Sequence, residues 1–272
     1  MCLGFDPTVP YSCFMRRTVE QLQAFYDDPA GQAARSLLAG KVVEAWGDGR
    51  GLDVLGLGFA GPFVEPFLPR ARRVCLAMPA AQGVSAWPHP VRNQACLVGE
   101  TALPFPAGFF DRIVLAHALE EAANPAALLA EAGRVLSASG RIIVMVAARG
   151  GLWAGAEATP FGHGQPFTRG QLEALLRDAE LEPTAWSYGL YVPPWRPLLG
   201  FADSFEQLGA WIWPGAAGVI LMEAERRTFA VRPQRSLAEN LAVITDALKP
   251  PANPVPVRRG LKAHWSRNGK PG

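Results

Sequence analysis

The sequence predicts an α/β fold: a mostly parallel sheet with helices on both faces. Short runs that are apolar throughout, such as 52–58, 72–79, 95–100, 109–119 and 140–148, alternate with segments of helical period. Strands apolar on both sides must be covered on both sides, which is the layer order of parallel sheets. A glycine-punctuated turn, Gly56-Leu57-Gly58-Phe59-Ala60-Gly61, follows the first run. The chain has 272 residues, 49% hydrophobic and 18% charged, the balance of a globular chain that buries a full core.

Residues 18–46 place apolar side chains at helical spacing, with Pro29 and Gly31 dividing them into two helices. The turn 47–51 leads into the first strand. Residues 63–71 read as a helix made short by Pro66 and Pro69. The second strand ends at Pro79, the third is 95–100 and the fourth 109–119. Residues 124–137 form a patterned helix, with Asn124 as N-cap and Pro125 in its first turn. The fifth strand follows at 140–148. Residues 167–181 are a helix capped by Thr168, and 217–231 read as a final strand. Between them, 186–214 hold four tryptophans among prolines and glycines with no period. The expected division is an N-terminal helical lid (1–46), a central domain (47–231) with an aromatic insert at about 183–216, and a C-terminal helix and tail (232–272).

From Lys249 the tail has five prolines, six Lys or Arg and no acid, a composition that favours a solvated, unstructured segment. A net charge of +2 is too small to call for a nucleic-acid partner. No apolar run reaches the roughly 18–20 residues of a membrane span, and the N-terminus lacks a secretory pattern. Met15 is an alternative start. Cys2, Cys13, Cys75 and Cys96 show no metal-binding spacing, which fits a reducing cytoplasm, and no metal site is expected.

In open parallel sheets ligands lie beyond the carboxyl ends of the strands, where strand order reverses. The turn 56–61 falls at such a point, and glycine there allows a close approach of backbone to ligand or a positive φ. His117, just after the fourth strand, faces the same crevice as a candidate base or orienting group. The alternative is a satisfied histidine packed at a strand end. Glu120 and Glu121 read as carboxylates at a helix entry. His163, between Gly162 and Gly164, sits in a loop with Gln165, Phe167 and Arg169 near the mouth of the crevice, as a turn or as a functional loop. Phe25 and Tyr26 are candidates to close over the site. Trp186, Tyr188, Tyr191, Trp195, Trp211 and Trp213 either pack a cap onto the sheet or form an aromatic surface.

The stretch 100–146 carries Leu103-Pro104-Phe105, Phe110-Asp111, Asn124-Pro125, Arg134-Val135-Leu136 and Gly140 in order and spacing. With the glycine turn it resembles the class I S-adenosylmethionine-dependent methyltransferases of the type 11 group over about residues 45–148. Residues 149–231 continue compatibly. A narrower likeness, through 159–172, is to methyltransferase-like bacterial proteins. The resemblance implies a Rossmann-like sheet of seven strands with the last antiparallel, and S-adenosylmethionine as cofactor. It implies cofactor contacts at Gly56, Leu57, Gly58, Phe59, Ala60, Met78, Glu100, Thr101 and His117. Two positions depart from the family: Val54 stands where an acid is usual, with Asp53 one residue early, and Met78 or Ala77 stands where an acid binds the ribose. Hydrogen bonds to a charged group contribute roughly 1.5–3 kcal/mol each, so losing two weakens binding by about a hundred- to ten-thousand-fold.

The expected function is methyl transfer to an unidentified small-molecule acceptor, with His117 and His163 as the catalytic candidates. The alternative is a catalytically inactive, methyltransferase-like scaffold that binds a protein through its aromatic surface. A nucleic-acid methyltransferase comes third.

Overall fold

The structure is a computed structural model that describes residues 16–90, 92–212, 214–227 and 266–267. The possible start at Met15, Trp213, the expected C-terminal helix and most of the tail lie outside the described residues.

Seven strands form the body of one mixed sheet: β1 (Asp53–Gly58), β2 (Arg73–Pro79), β3 (Ala95–Val98), β4 (Phe110–Ala116), β5 (Leu136–Ala147), β6 (Leu181–Gly189) and β7 (Val219–Arg226). Their order is β3-β2-β1-β4-β5-β7-β6, and a two-residue strand β8 (Ser266–Arg267) adds to the edge at β6. β1 to β5 pair in parallel, and β7 runs antiparallel to both β5 and β6. The sheet is therefore mostly parallel and Rossmann-like, as the apolar runs predict. Strand order reverses between β1 and β4, which places a crevice at the carboxyl ends of those two strands.

The two-residue period of the strands sorts the core into two layers. On one face Val54, Leu76, Met78, Val114, Ile143 and Met145 pack with the helices α1 (Val19–Asp27) and α2 (Pro29–Trp46). On the other, Leu55, Leu57, Ile113, Leu115, Ile142 and Val144 pack with α4 (Pro125–Val135) and α5 (Arg169–Asp178). The short α3 (Gly61–Val64) follows β1, and Pro66 continues it only as a turn of 3-10 helix. Local chemistry sets the helix starts. Thr18 and Thr168 each make a capping box with the glutamine three residues on, and the Asn124 side chain accepts from the Ala127 amide at 3.0 Å. Pro29 begins α2, and Gly31 lies inside that helix rather than breaking it.

Three elements differ from expectation. β6 runs through Trp186 and Tyr188, at the start of the stretch without a period, and its burial alternates residue by residue. Pro183 and a register shift between Pro183 and Ala185 obscure that alternation in the sequence. β5 begins at Leu136, four residues early, because an irregularity between Phe110 and Arg112 lets Leu136 pair with Phe110. In the tail, Ser266 and Arg267 pair with Trp186 and Ala185, so these two residues are not structureless. No helix among the described residues is long and apolar enough to cross a membrane.

The packing of α2 on the sheet makes a paired prediction. Leu38 is fully buried, so Leu38→Ala lowers the unfolding free energy by roughly 2–5 kcal/mol in urea denaturation. A Cβ on Gly40, in the same helix, meets nothing within 4 Å, so Gly40→Ala raises it by about 0.5–1 kcal/mol.

Candidate functional site

The crevice at the ends of β1 and β4 is built from the glycine turn, the end of β2, the residues after β4 and, above them, α1. Gly58 has φ +80°, and a Cβ there would collide with the Ala116 carbonyl at the end of β4. A Cβ on Gly56 would lie 2.7 Å from a Leu76 methyl and 3.2 Å from Ala60 and Val64. Both glycines are therefore required by the close approach of neighbouring strand, turn and helix atoms. Leu57 faces the opposite layer, fully buried.

Above the turn lies Tyr26 of α1. Its ring stacks on Phe59, with centroids 5.6 Å apart and planes at 15°, and it meets Phe63 edge-on at 5.8 Å. Its hydroxyl is 2.6 Å from His117 Nε2. Met78, buried at the end of β2, joins the same apolar cluster as Tyr26, Phe59, Ala60 and Phe63. Phe161 closes the far side, 4.9 Å from the His117 ring and 5.6 Å from the fully buried Trp153. The cavity left beside His117 is about 10 Å³. That volume holds at most one water.

Polar groups fasten α1 in this position. Arg16 ion-pairs with Glu100 and donates to the Ala118 carbonyl at 2.9 Å. The Val19 amide donates to the Gln82 carbonyl at 2.9 Å, and the Gln82 side chain donates to the His117 carbonyl at 2.8 Å. The Arg17 amide donates to Glu121 at 3.3 Å, and its guanidinium contacts His163. Glu100 is thus held by the N-terminal segment, while Thr101 is exposed in the turn after β3.

The structure brings the two catalytic candidates together. His117 and His163 line one small cavity with Gln82, Glu120, Glu121 and Arg17. His117 adopts φ 51°, a left-handed conformation rare for a side chain with a Cβ. Burial pushes its pKa down to about 3, so it is neutral at physiological pH. Glu120 is also buried rather than an exposed helix-entry carboxylate. Its Oε1 accepts from the Ala147 amide at 3.2 Å, its Oε2 has no partner, and burial raises its pKa to about 7. Glu121 is shifted upward by burial, against the opposing pull of Arg16. His163 Nε2 also lies 2.7 Å from the Glu157 carbonyl.

Sequence reasoning missed Gln82, Arg16 and Arg17. The one signal for Gln82 was a long polar side chain just past an apolar strand end, and Arg16 and Arg17 directly precede the Thr18 cap. Asp53 is no substitute for the acid absent at Val54. It sits at the amino end of β1, roughly 16 Å of strand away from Gly58, and is paired with Arg72 at 3.0 Å.

Strand order, helices on both faces and a glycine turn at the switch point make a Rossmann-like architecture. Residues 54–144 match the family described as a methyltransferase domain. The chain is also 29% identical over 211 residues to an uncharacterized protein of Mycobacterium tuberculosis, covering 70% of this chain and 67% of that one. Among solved structures it is similar to a Thermotoga maritima S-adenosylmethionine-dependent methyltransferase described as a possible histamine N-methyltransferase. There the identity is 16%, the TM-score 0.54, and the coverage 79% of this chain and 98% of that one. A second is the Burkholderia thailandensis 1,6-didemethyltoxoflavin-N1-methyltransferase with bound S-adenosylhomocysteine, at 17% identity and TM-score 0.51, covering 83% and 94%.

The buried carboxyl makes a pH prediction. With its pKa raised from 4.5 to about 7, folded Glu120 keeps a proton that the unfolded chain has already released. Its contribution is present below pH 4.5 and lost as pH rises through about 7. Glu120→Gln therefore stabilises the protein at pH 8, on the order of 2–3 kcal/mol, and the gain shrinks toward zero near pH 5. Denaturant titrations of both proteins at the two pH values measure this.

Proposed function

We propose that this chain is a methyltransferase-fold binding module that works without S-adenosylmethionine, as a catalytically inactive scaffold. One observation carries the reading: Tyr26, stacked on Phe59 and bonded to His117, fills the crevice where the fold would hold that cofactor. The residues present do not fit the group. Ligand pockets span roughly 300–1,000 Å³, and the cavity beside His117 is only about 10 Å³. The position of the ribose-binding acid is the buried thioether of Met78.

Magnitudes support the same conclusion. Admitting the cofactor requires α1 to withdraw, exposing Val19, Leu22 and Tyr26, all at most 5% exposed. At about 1.5–3 kcal/mol for each side chain, that costs roughly 5–9 kcal/mol. Each 1.4 kcal/mol is a factor of ten, so the opening alone weakens binding by about 10³–10⁶-fold. The absent ribose contacts weaken it further.

The second reading is methyl transfer to a small-molecule acceptor from a state with α1 displaced. It is favoured by the family match over residues 54–144 and by the glycine turn at the switch point. Thermal unfolding with S-adenosylmethionine separates the two. A site filled to a hundred times its Kd gains about 2.7 kcal/mol of stability. The scaffold reading predicts no change in Tm up to millimolar cofactor, and a saturable rise would overturn it in favour of the enzyme.

A further inference from the structure

A second cavity lies at the same end of the sheet but over β5 and β6, and none of the glycine-turn residues lines it. It has a volume of about 650 Å³, well within the roughly 300–1,000 Å³ of small-molecule sites. The loop after β5, the loop after β6, the helix α6 (Ala202–Ile212) and the turn before β7 enclose it. We propose that this cavity binds a neutral, largely apolar small molecule carrying one or two hydrogen-bonding oxygens. The proposal goes beyond the closed crevice and stands whether or not a cofactor ever enters there.

Leu152, Phe201 and Leu208 line the cavity, yet they are 48%, 62% and 57% exposed. Large apolar side chains left open together around a concave space mark a binding site rather than ordinary surface. The space is kept open by glycine: a Cβ on Gly215 would meet nothing within 4 Å, and one on Gly150 only the Gly215 carbonyl at 3.6 Å. By contrast Gly209 lets α6 lie directly against Tyr191, since a Cβ there would come within 2.6 Å of the ring. The cavity is therefore a shaped recess with a fixed wall.

Charge chooses the ligand class. Among the residues whose side chains are described, those that line the cavity are uncharged. Glu206, on α6, accepts from the Tyr191 amide at 3.2 Å and pairs with Lys41 at 3.1 Å, so that lysine is already matched by a carboxylate. An anionic ligand would find no cation among the described lining side chains. Tyr191 and Ser204 supply the hydroxyls of the lining. Burial and Glu206 push the Tyr191 hydroxyl up to about 12, leaving it a neutral donor at any working pH.

The test is a fluorescence titration of the full chain with N-phenyl-1-naphthylamine, a neutral apolar probe, followed by displacement with decanol or decanoate at pH 8. We expect saturable binding, displacement by decanol at least tenfold more effective than by decanoate, and at least tenfold weaker binding in Gly215→Leu. Gly215→Leu fills the space without a collision, and unchanged circular dichroism checks its fold. Gly170→Leu, on the exposed side of α5 with open space around its Cβ, is expected to bind as the parent does. No saturable binding, equal displacement by decanoate, or undiminished binding in folded Gly215→Leu would overturn the proposal. So would a concentration-dependent dimer that Gly215→Leu dissociates, which would assign the face to a second copy. None of these outcomes depends on whether S-adenosylmethionine shifts Tm.

Discussion

The contact between Tyr26 and the residue after β4 is the interaction around which the site is arranged. The aromatic ring occupies the space over the glycine turn, and its hydroxyl satisfies the buried His117 ring. Burial raises the Tyr26 hydroxyl well above its usual range and holds His117 neutral, so the pair meets as two uncharged groups. A buried hydrogen bond between neutral partners keeps both desolvated groups satisfied, and breaking it leaves two orphans. The rings of Phe59, Phe63, Phe25 and Phe161 then complete an apolar plug around it.

The plug also changes the meaning of the glycines. Gly56 and Gly58 have the spacing of a cofactor turn, but each is explained by what its missing Cβ would strike inside the protein. Glu100, at the position expected to face an adenine, is instead the anchor of Arg16. On the scaffold reading, the positions expected to meet a cofactor meet the chain's own N-terminal segment instead. The acids absent at Val54 and Met78 fit this arrangement, since both positions are buried against apolar neighbours where an unpaired carboxylate would be costly. The buried polar groups beside the plug, Glu120 and Gln82, retain unpartnered oxygens, and the space between them suits a single water.

Much of the fold was legible because its signals are local. The strands β1 to β4 are short apolar runs, and Thr18, Asn124 and Thr168 announce their helices by side-chain chemistry. β6 was hidden because Pro183 and the adjoining register shift interrupt the alternation that Trp186 and Tyr188 continue. The site was legible only in outline. Position after the first strand located the crevice, and the lid helix with Phe25 and Tyr26 was visible as a candidate. What fills the crevice depends on contacts across long separations, such as the 91 residues between Tyr26 and His117 and the 84 between Arg16 and Glu100. No local pattern encodes those contacts.

Amide hydrogen exchange along α1, read with and without millimolar S-adenosylmethionine, tests the central claim most directly. If α1 is a permanent part of the core, the amides of Leu22 to Tyr26 exchange only with global unfolding, at the same slow rate as those of β4, and the ligand leaves them unchanged. Exchange of α1 through a separate low-energy opening, altered by the cofactor, would contradict the account and mark the helix as a door.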